Sequence, residues 1–81
     1  MASKEEGNLL KIGELARLAD VLPSTVHYYT KEGLLKFSGE TRGGYRLYDR
    51  ARALKRLREI RKLQEKSRWT IREIKRKFRN N

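Results

Sequence analysis

Apolar residues recur at helical spacing near the start of the chain. They stand at i, i+3, i+4 and i+7, on Ile12, Leu15, Ala16 and Ala19. Such spacing predicts a short amphipathic helix, closed at Asp20. Pro23 has a preset φ angle and no N–H, so it fits the first turn of a second helix, which Gly33 ends. Because the connection is only a few residues long, the pattern predicts a helix-turn-helix.

The second helix is predicted to carry two unlike faces. Leu22, Val26 and Tyr29 share an apolar face, which we expect to join the core. The opposite face carries donors, acceptors and one positive charge, on Ser24, His27, Tyr28 and Lys31. Such a face suits a DNA groove better than a protein groove, and an ordinary solvated face is the alternative.

A glycine-rich turn between two short extended segments follows this helix. The first segment ends at Phe37 and the second runs from Tyr45 to Tyr48, so together they predict a β-hairpin with a basic tip. Two arrangements of the second segment remain open. Either Tyr45 and Leu47 face the core while Arg46 and Tyr48 face outward, or a bulge turns Tyr45 outward.

Two further helices are predicted in the second half of the chain. Asp49 is a suitable N-cap for the third helix, whose apolar stripe comprises Leu54, Leu57, Ile60 and Leu63. Thr70 and Glu73 form a capping box at the start of the last helix. Trp69 and Ile74 form the matching hydrophobic staple, so Trp69 is expected to anchor the core rather than stack on a base. The inward residues of the last helix are Ile71, Ile74 and Phe78.

These elements predict one small domain. A length of 81 residues with 37% hydrophobic residues allows a single thin core. We expect a mainly α fold of about four helices with a small β-hairpin. This domain is expected to span residues 11–79, after a flexible tail over residues 1–10.

The distribution of charge indicates the class of partner. The net charge is +11, and residues 42–81 carry sixteen Lys and Arg against four acids, whereas residues 1–41 are close to neutral. Such an excess exceeds what solubility requires and favours a polyanion, nucleic acid above all. A membrane surface or an acidic protein is the alternative on charge alone.

Catalysis, metal binding and export are not expected. With no Cys and one His, the chain has no disulfide, thiolate site or Cys-containing zinc site. No set of carboxylates indicates acid–base chemistry, so we expect no enzyme, cofactor or metal. No apolar run has the length of a signal peptide or membrane span, which makes the cytoplasm the expected location.

Several ordered segments carry a family resemblance. They read IGELA at residues 12–16, TVHYY at 25–29, GLL at 33–35 and GYRLY at 44–48. In this succession they resemble the DNA-binding domain of the MerR family of transcription regulators, over about residues 11–78. The resemblance implies a winged helix-turn-helix that binds double-stranded DNA with its second helix in the major groove.

The resemblance also implies two sets of DNA contacts. Contacts to the sugar-phosphate backbone are expected from Tyr28, Tyr45 and Arg46. Contacts near base edges are expected from Ser24, Thr25 and Lys31. We expect Arg68 to be a further DNA contact.

Three positions depart from the family pattern. His27 stands where the family usually has Arg, so a permanent charge is replaced by a pH-dependent one. We expect the imidazole of His27 still to donate to a phosphate or a base. Leu22 precedes Pro23 where a Ser or Thr cap is usual. Glu40 stands early in the wing where Arg is usual, and we expect Arg42 to take over that phosphate contact.

The family's long dimerisation helix and effector-sensing region are not found in these residues. The sequence is therefore expected to act as a monomeric DNA-binding domain, natural or excised, which cannot by itself twist DNA as the dimeric family members do. An excisionase-like DNA-bending protein is the alternative, and an RNA-binding protein is a third possibility. The operator, the effector and the sign of regulation do not follow from the sequence.

Overall fold

The computed structural model describes residues 8–79. It contains four helices and three short strands within this range. The helices are α1 (Ile12–Ala19), α2 (Pro23–Lys31), α3 (Arg50–Glu65) and α4 (Ile71–Arg79). The strands are β1 (Leu9–Lys11), β2 (Gly39–Glu40) and β3 (Arg46–Asp49). This arrangement confirms the predicted winged helix-turn-helix of about four helices. None of the described helices is long and apolar enough to cross a membrane.

The three strands form one antiparallel sheet in the order β1-β3-β2. β1 was not expected, because Leu9 and Leu10 were assigned to the tail. Leu10 instead pairs with Tyr48, and the Arg50 N–H donates to Asn8 O at 2.7 Å. Three residues are too few to show a strand period, so only the pairing with β3 reveals this strand. The rest of the predicted tail, residues 1–7, lies outside the described residues.

The helix-turn-helix forms as predicted, with one correction. α1 ends at Asp20, which takes a left-handed conformation (φ 58°) while its N–H donates to Arg17 O at 3.2 Å. Val26 and Tyr29 of α2 are buried, as expected. Leu22 was expected beside them but is 69% exposed. It is the N-cap, with extended angles (φ −77°, ψ 148°), so its side chain does not follow the helical phase.

The wing buries Tyr48, which the first predicted arrangement turned outward. Tyr48 is fully buried, whereas Tyr45 is 66% exposed. Arg46 and Leu47 are each half-buried. Tyr48 therefore faces the core, contrary to the first arrangement, while Tyr45 turns outward as the second required. The first predicted segment, which ends at Phe37, is not a strand. Leu34 and Leu35 are buried in irregular backbone, where their N–H groups donate to Tyr29 O at 2.9 and 3.2 Å. The strand that pairs with β3 is β2 instead, within the predicted turn.

The predicted caps of the last two helices are present. The Arg52 N–H donates to Asp49 Oδ2 at 2.9 Å at the start of α3. The Thr70 N–H donates to Glu73 Oε1 at 2.8 Å, and the Glu73 N–H returns a bond to Thr70 Oγ1 at 3.2 Å. These two reciprocal bonds are the capping box.

One core joins the helices to the sheet. Its buried residues come from every helix, from β3 and from the segment that follows α2: Leu15, Ala16, Val26, Tyr29, Leu34, Leu35, Tyr48, Ala53, Leu57, Ile60 and Ile74. Trp69 packs against this cluster, as predicted. Arg56 holds α4 in place, since its guanidinium lies 3.8 Å from the centre of the Phe78 ring and also donates to Leu34 O at 3.3 Å.

Candidate nucleic-acid interface

The outward face of α2 carries the polar residues predicted from the sequence. Ser24, His27, Tyr28 and Lys31 are all exposed. Thr25 is half-buried, and its N–H donates to Leu22 O at 2.9 Å. Val26 and Tyr29 fix the rotation of the helix, because burying these two side chains turns the polar set toward solvent.

A cleft of about 950 Å³ borders this face on the side of the wing. We call it the wing cleft. Its lining comes from α1, α2, the sheet and the wing: Lys11, Ile12, Gly13, Glu14, Arg17, His27, Glu40, Gly44, Tyr45, Arg46 and Tyr48. Three of the predicted site residues, His27, Tyr45 and Arg46, are therefore brought together here.

The wing cleft is lined by charges of both signs. Three cations, Lys11, Arg17 and Arg46, face it together with His27. Two carboxylates, Glu14 and Glu40, face the same space. An anion entering the cleft therefore meets cations on its walls and is repelled near the carboxylates.

Aromatic rings position the cations of the wing. The Arg46 guanidinium lies 5.1 Å from the centre of the Phe37 ring, and Lys11 Nζ lies 5.9 Å from the centre of the Tyr45 ring. Cation–π attraction holds a charge over a ring while its donors stay available. Both arrangements are compatible with a phosphate approaching the wing from outside.

A tight turn places Arg42 at the tip of the wing. The Gly44 N–H donates to Thr41 O at 3.0 Å, and Gly44 has a positive φ of 86°, a conformation that favours glycine. The Tyr45 N–H donates to Thr41 Oγ1 at 3.1 Å, which closes the turn further. Arg42 is exposed there but lines neither this cleft nor the one on the other side of α2.

A second cleft, of about 500 Å³, borders α2 on the opposite side. We call it the α4 cleft. It is lined by Tyr28 and Glu32 together with residues of α4: Ile71, Arg72, Lys75, Arg76 and Arg79. Tyr28 is 44% exposed, and its ring centre lies 5.8 Å from that of Tyr29.

One ion pair joins the two walls of the α4 cleft. Lys75 Nζ donates to Glu32 Oε1 at 2.8 Å. This hydrogen bond, together with the charge of Lys75, holds the pKa of the Glu32 carboxyl below its usual range. Because Glu32 neutralises Lys75, the positive charge of the cleft comes from Arg72, Arg76 and Arg79.

The cations of α4 were missed in the sequence analysis, which treated only the inward side of that helix. Arg72, Arg76 and Arg79 stand at i, i+4 and i+7, so they share one helical face. That spacing could have singled them out as a basic stripe. Their position beside Tyr28 could not be foreseen, because it depends on the packing of α4 against distant parts of the chain.

Arg68 lies apart from both clefts. It is exposed, between α3 and α4, and has a positive φ of 55°. Left-handed backbone costs an L-residue other than glycine about 1 kcal/mol or more. The backbone at Arg68 is thus strained, and glycine would adopt the same conformation with less strain.

Among residues 8–79, no three His, Asp or Glu side chains form a group that could hold a metal ion. The candidate site is thus a polar helix face between two clefts lined by cations. Together with the wing, this defines a winged helix-turn-helix whose chemistry suits the grooves and phosphates of a nucleic acid.

Comparison with known proteins gives the family. The sequence model of the MerR HTH family regulatory proteins matches residues 10–81. The chain therefore belongs to the MerR family of DNA-binding transcription regulators, and it contains the family's helix-turn-helix domain. The resemblance noted in the sequence is confirmed.

Individual relatives agree with this assignment. The HTH-type transcriptional regulator ZntR of Escherichia coli K12 is 43% identical over 53 residues, which are 65% of this chain and 37% of ZntR. The nodulation protein NolA of Bradyrhizobium sp. NC92 is 42% identical over 66 residues, which are 82% of this chain and 27% of NolA. The matched residues thus make up well under half of either relative.

Two solved structures share the fold. A MerR-family transcriptional regulator from Bacillus cereus superposes with a TM-score of 0.74 at 33% identity, over 86% of this chain and 51% of that one. PbrR691 from Ralstonia metallidurans CH34, crystallised in complex with lead(II), gives a TM-score of 0.74 at 40% identity, over 86% of this chain and 53% of that one. The shared part is about half of each solved chain.

Proposed function

We propose that this domain recognises a particular double-stranded DNA sequence as the DNA-binding part of a MerR-like transcription regulator. The observation that carries the proposal is the placement of α2. Its exposed polar face lies between the wing cleft and the α4 cleft, and both are lined by cations. A helix in the major groove has a phosphate backbone on each side, which matches a polar face with cations on both sides.

The proposed contacts divide into two classes. Base edges are read by Ser24, Thr25 and Lys31 on α2. Phosphates are held by Tyr28, His27 and Arg68, and on the wing by Arg42, Tyr45 and Arg46. Phosphate contacts supply most of the affinity and its salt dependence, whereas base contacts supply the sequence preference.

The 81 residues are proposed to bind one half-site as a monomer in the cytoplasm, without a cofactor or an enzymatic activity. Dimerisation and effector sensing, where the regulator has them, would lie outside these residues. A monomer lacks the gain in affinity that a linked second domain provides, so binding of the isolated domain is expected to be weak.

Selection from a pool of random duplex DNA, with retained molecules sequenced at low and at moderate salt, tests the proposal. A single enriched half-site that persists at moderate salt is the expected result. An enriched tandem array would instead indicate the excisionase-like mode. Retention without enrichment, lost steeply with salt, would contradict sequence recognition and would direct the next experiment to RNA.

A further inference from the structure

Leu22 has an unusual environment for a leucine. At 69% exposed, it is more exposed than any other large hydrophobic side chain among residues 8–79. It is also the N-cap of α2, a position that strongly prefers Ser, Thr, Asp or Asn.

The side chain of Leu22 contributes little to the fold. It makes no capping hydrogen bond, and its exposure leaves it outside the core. The start of α2 is secured by other groups, because Pro23 follows at the first helical position and Leu22 O accepts from the Thr25 N–H at 2.9 Å. These are backbone features, which any residue at position 22 could provide.

The position of Leu22 offers a reason for this side chain. In helix-turn-helix proteins the N-terminal residues of the recognition helix contact the base edges. The major groove presents one apolar group on those edges, the 5-methyl group of thymine. Leu22 stands at the N-terminus of α2, two residues before the exposed Ser24.

We propose that Leu22 packs against the 5-methyl group of a thymine in the major groove and so sets the preference for that base. This inference rests on the proposed function, since it needs α2 in the groove. It adds an apolar contact at the N-terminus of a helix whose outward face offers only polar groups and the Tyr28 ring.

The test uses the duplex enriched by selection. Each thymine in turn is replaced by uracil, which removes the methyl group and leaves base pairing unchanged. For the unmodified protein, uracil at one position is expected to weaken binding about fourfold, the effect of exposing about one methyl group. Uracil at the other positions should have little effect.

Two variants separate recognition from folding. Leu22→Ser supplies a good N-cap, so its melting temperature should equal or exceed that of the unmodified protein, while its response to uracil disappears. Leu18→Ser is the matched control, because Leu18 is a leucine that is 47% exposed but lies on α1, and the first helix of a helix-turn-helix does not enter the major groove. It should retain the response to uracil.

The outcomes distinguish this inference from the function on which it rests. Failure to enrich any duplex would overturn both. An enriched duplex that tolerates uracil at every position, or a Leu22→Ser protein that still responds to uracil, would overturn the thymine contact alone. A loss of melting temperature in Leu22→Ser with an unchanged response would assign Leu22 a structural role instead.

Discussion

The Tyr48 hydroxyl lies 2.8 Å from Thr30 Oγ1 and so joins the wing to α2. Thr30 Oγ1 also lies 2.8 Å from Val26 O, to which it donates. Because a threonine hydroxyl has one hydrogen, Thr30 accepts from Tyr48. This bond ties β3 to α2, and therefore the wing to the helix that carries the exposed polar face.

Tyr48→Phe tests this link. The variant keeps the buried ring and removes the donor, so the free energy of unfolding should fall by about 1 kcal/mol, as measured by urea denaturation. Tyr45→Phe is the control, because Tyr45 is exposed and its loss of a hydroxyl should leave stability unchanged. Effects of Tyr48→Phe and Thr30→Val that simply add would contradict a direct hydrogen bond between them.

Arg68→Gly separates backbone strain from DNA contact. Relief of the positive φ at this position should raise the free energy of unfolding by about 1 kcal/mol. If Arg68 contacts a phosphate, the same variant should bind DNA more weakly. The slope of log affinity against log salt concentration should then fall by about one. Asp20→Gly removes a similar strain without removing a cation, so its salt dependence should not change.

Arg46→Ala tests the role assigned to the wing. Loss of this cation should weaken binding to all duplexes by a similar factor. It should also lower the slope of log affinity against log salt concentration by about one. Arg58→Ala removes the same charge from an exposed position of α3 outside both clefts and should have a smaller effect. A changed sequence preference in Arg46→Ala, with unchanged nonspecific affinity, would show that the wing assignment is wrong.

The Tyr29 phenol is expected to ionise at a higher pH than an exposed tyrosine does. Burial raises the pKa of its phenol above the ordinary 10.0, and the hydroxyl donates to Gln64 Oε1 at 3.1 Å. Ultraviolet absorbance against pH, compared with that of Tyr29→Phe, isolates this group. Since the native pKa is raised, stability should fall as the pH rises above 10.0 toward that native value. A difference curve centred below pH 10.0 would contradict the burial argument.

Glu73→Gln tests the charge within the capping box. The bonds from the Thr70 N–H and hydroxyl hold the pKa of Glu73 below its ordinary 4.5. Its stabilising effect is therefore complete above pH 4.5 and is lost as the pH falls through the lowered native value. Glutamine keeps the neutral capping bond, so the variant should show a weaker loss of melting temperature in acid. An identical acid dependence in both proteins would exclude this contribution.

The parts of the fold that were predicted correctly depend on neighbours three or four residues apart. Asp49 caps α3 through the N–H of Arg52, and Thr70 and Glu73 cap α4 through each other. Such bonds form wherever the local sequence permits a helix to start, because both partners belong to the same turn. The segments that identified the family also lie within single elements or turns.

The tertiary structure decided what local patterns left open. Alternation along β3 gives a period of two but no phase, and pairing with Leu10 and bonding to Thr30 placed Tyr48 inward. Leu22 follows helical spacing in the sequence, yet its extended backbone turns it outward. Contacts between residues far apart in sequence depend on which surfaces pack together. The sequence by itself thus determined the helices, the caps of α3 and α4 and the family, whereas long-range packing determined the side chains that surround α2.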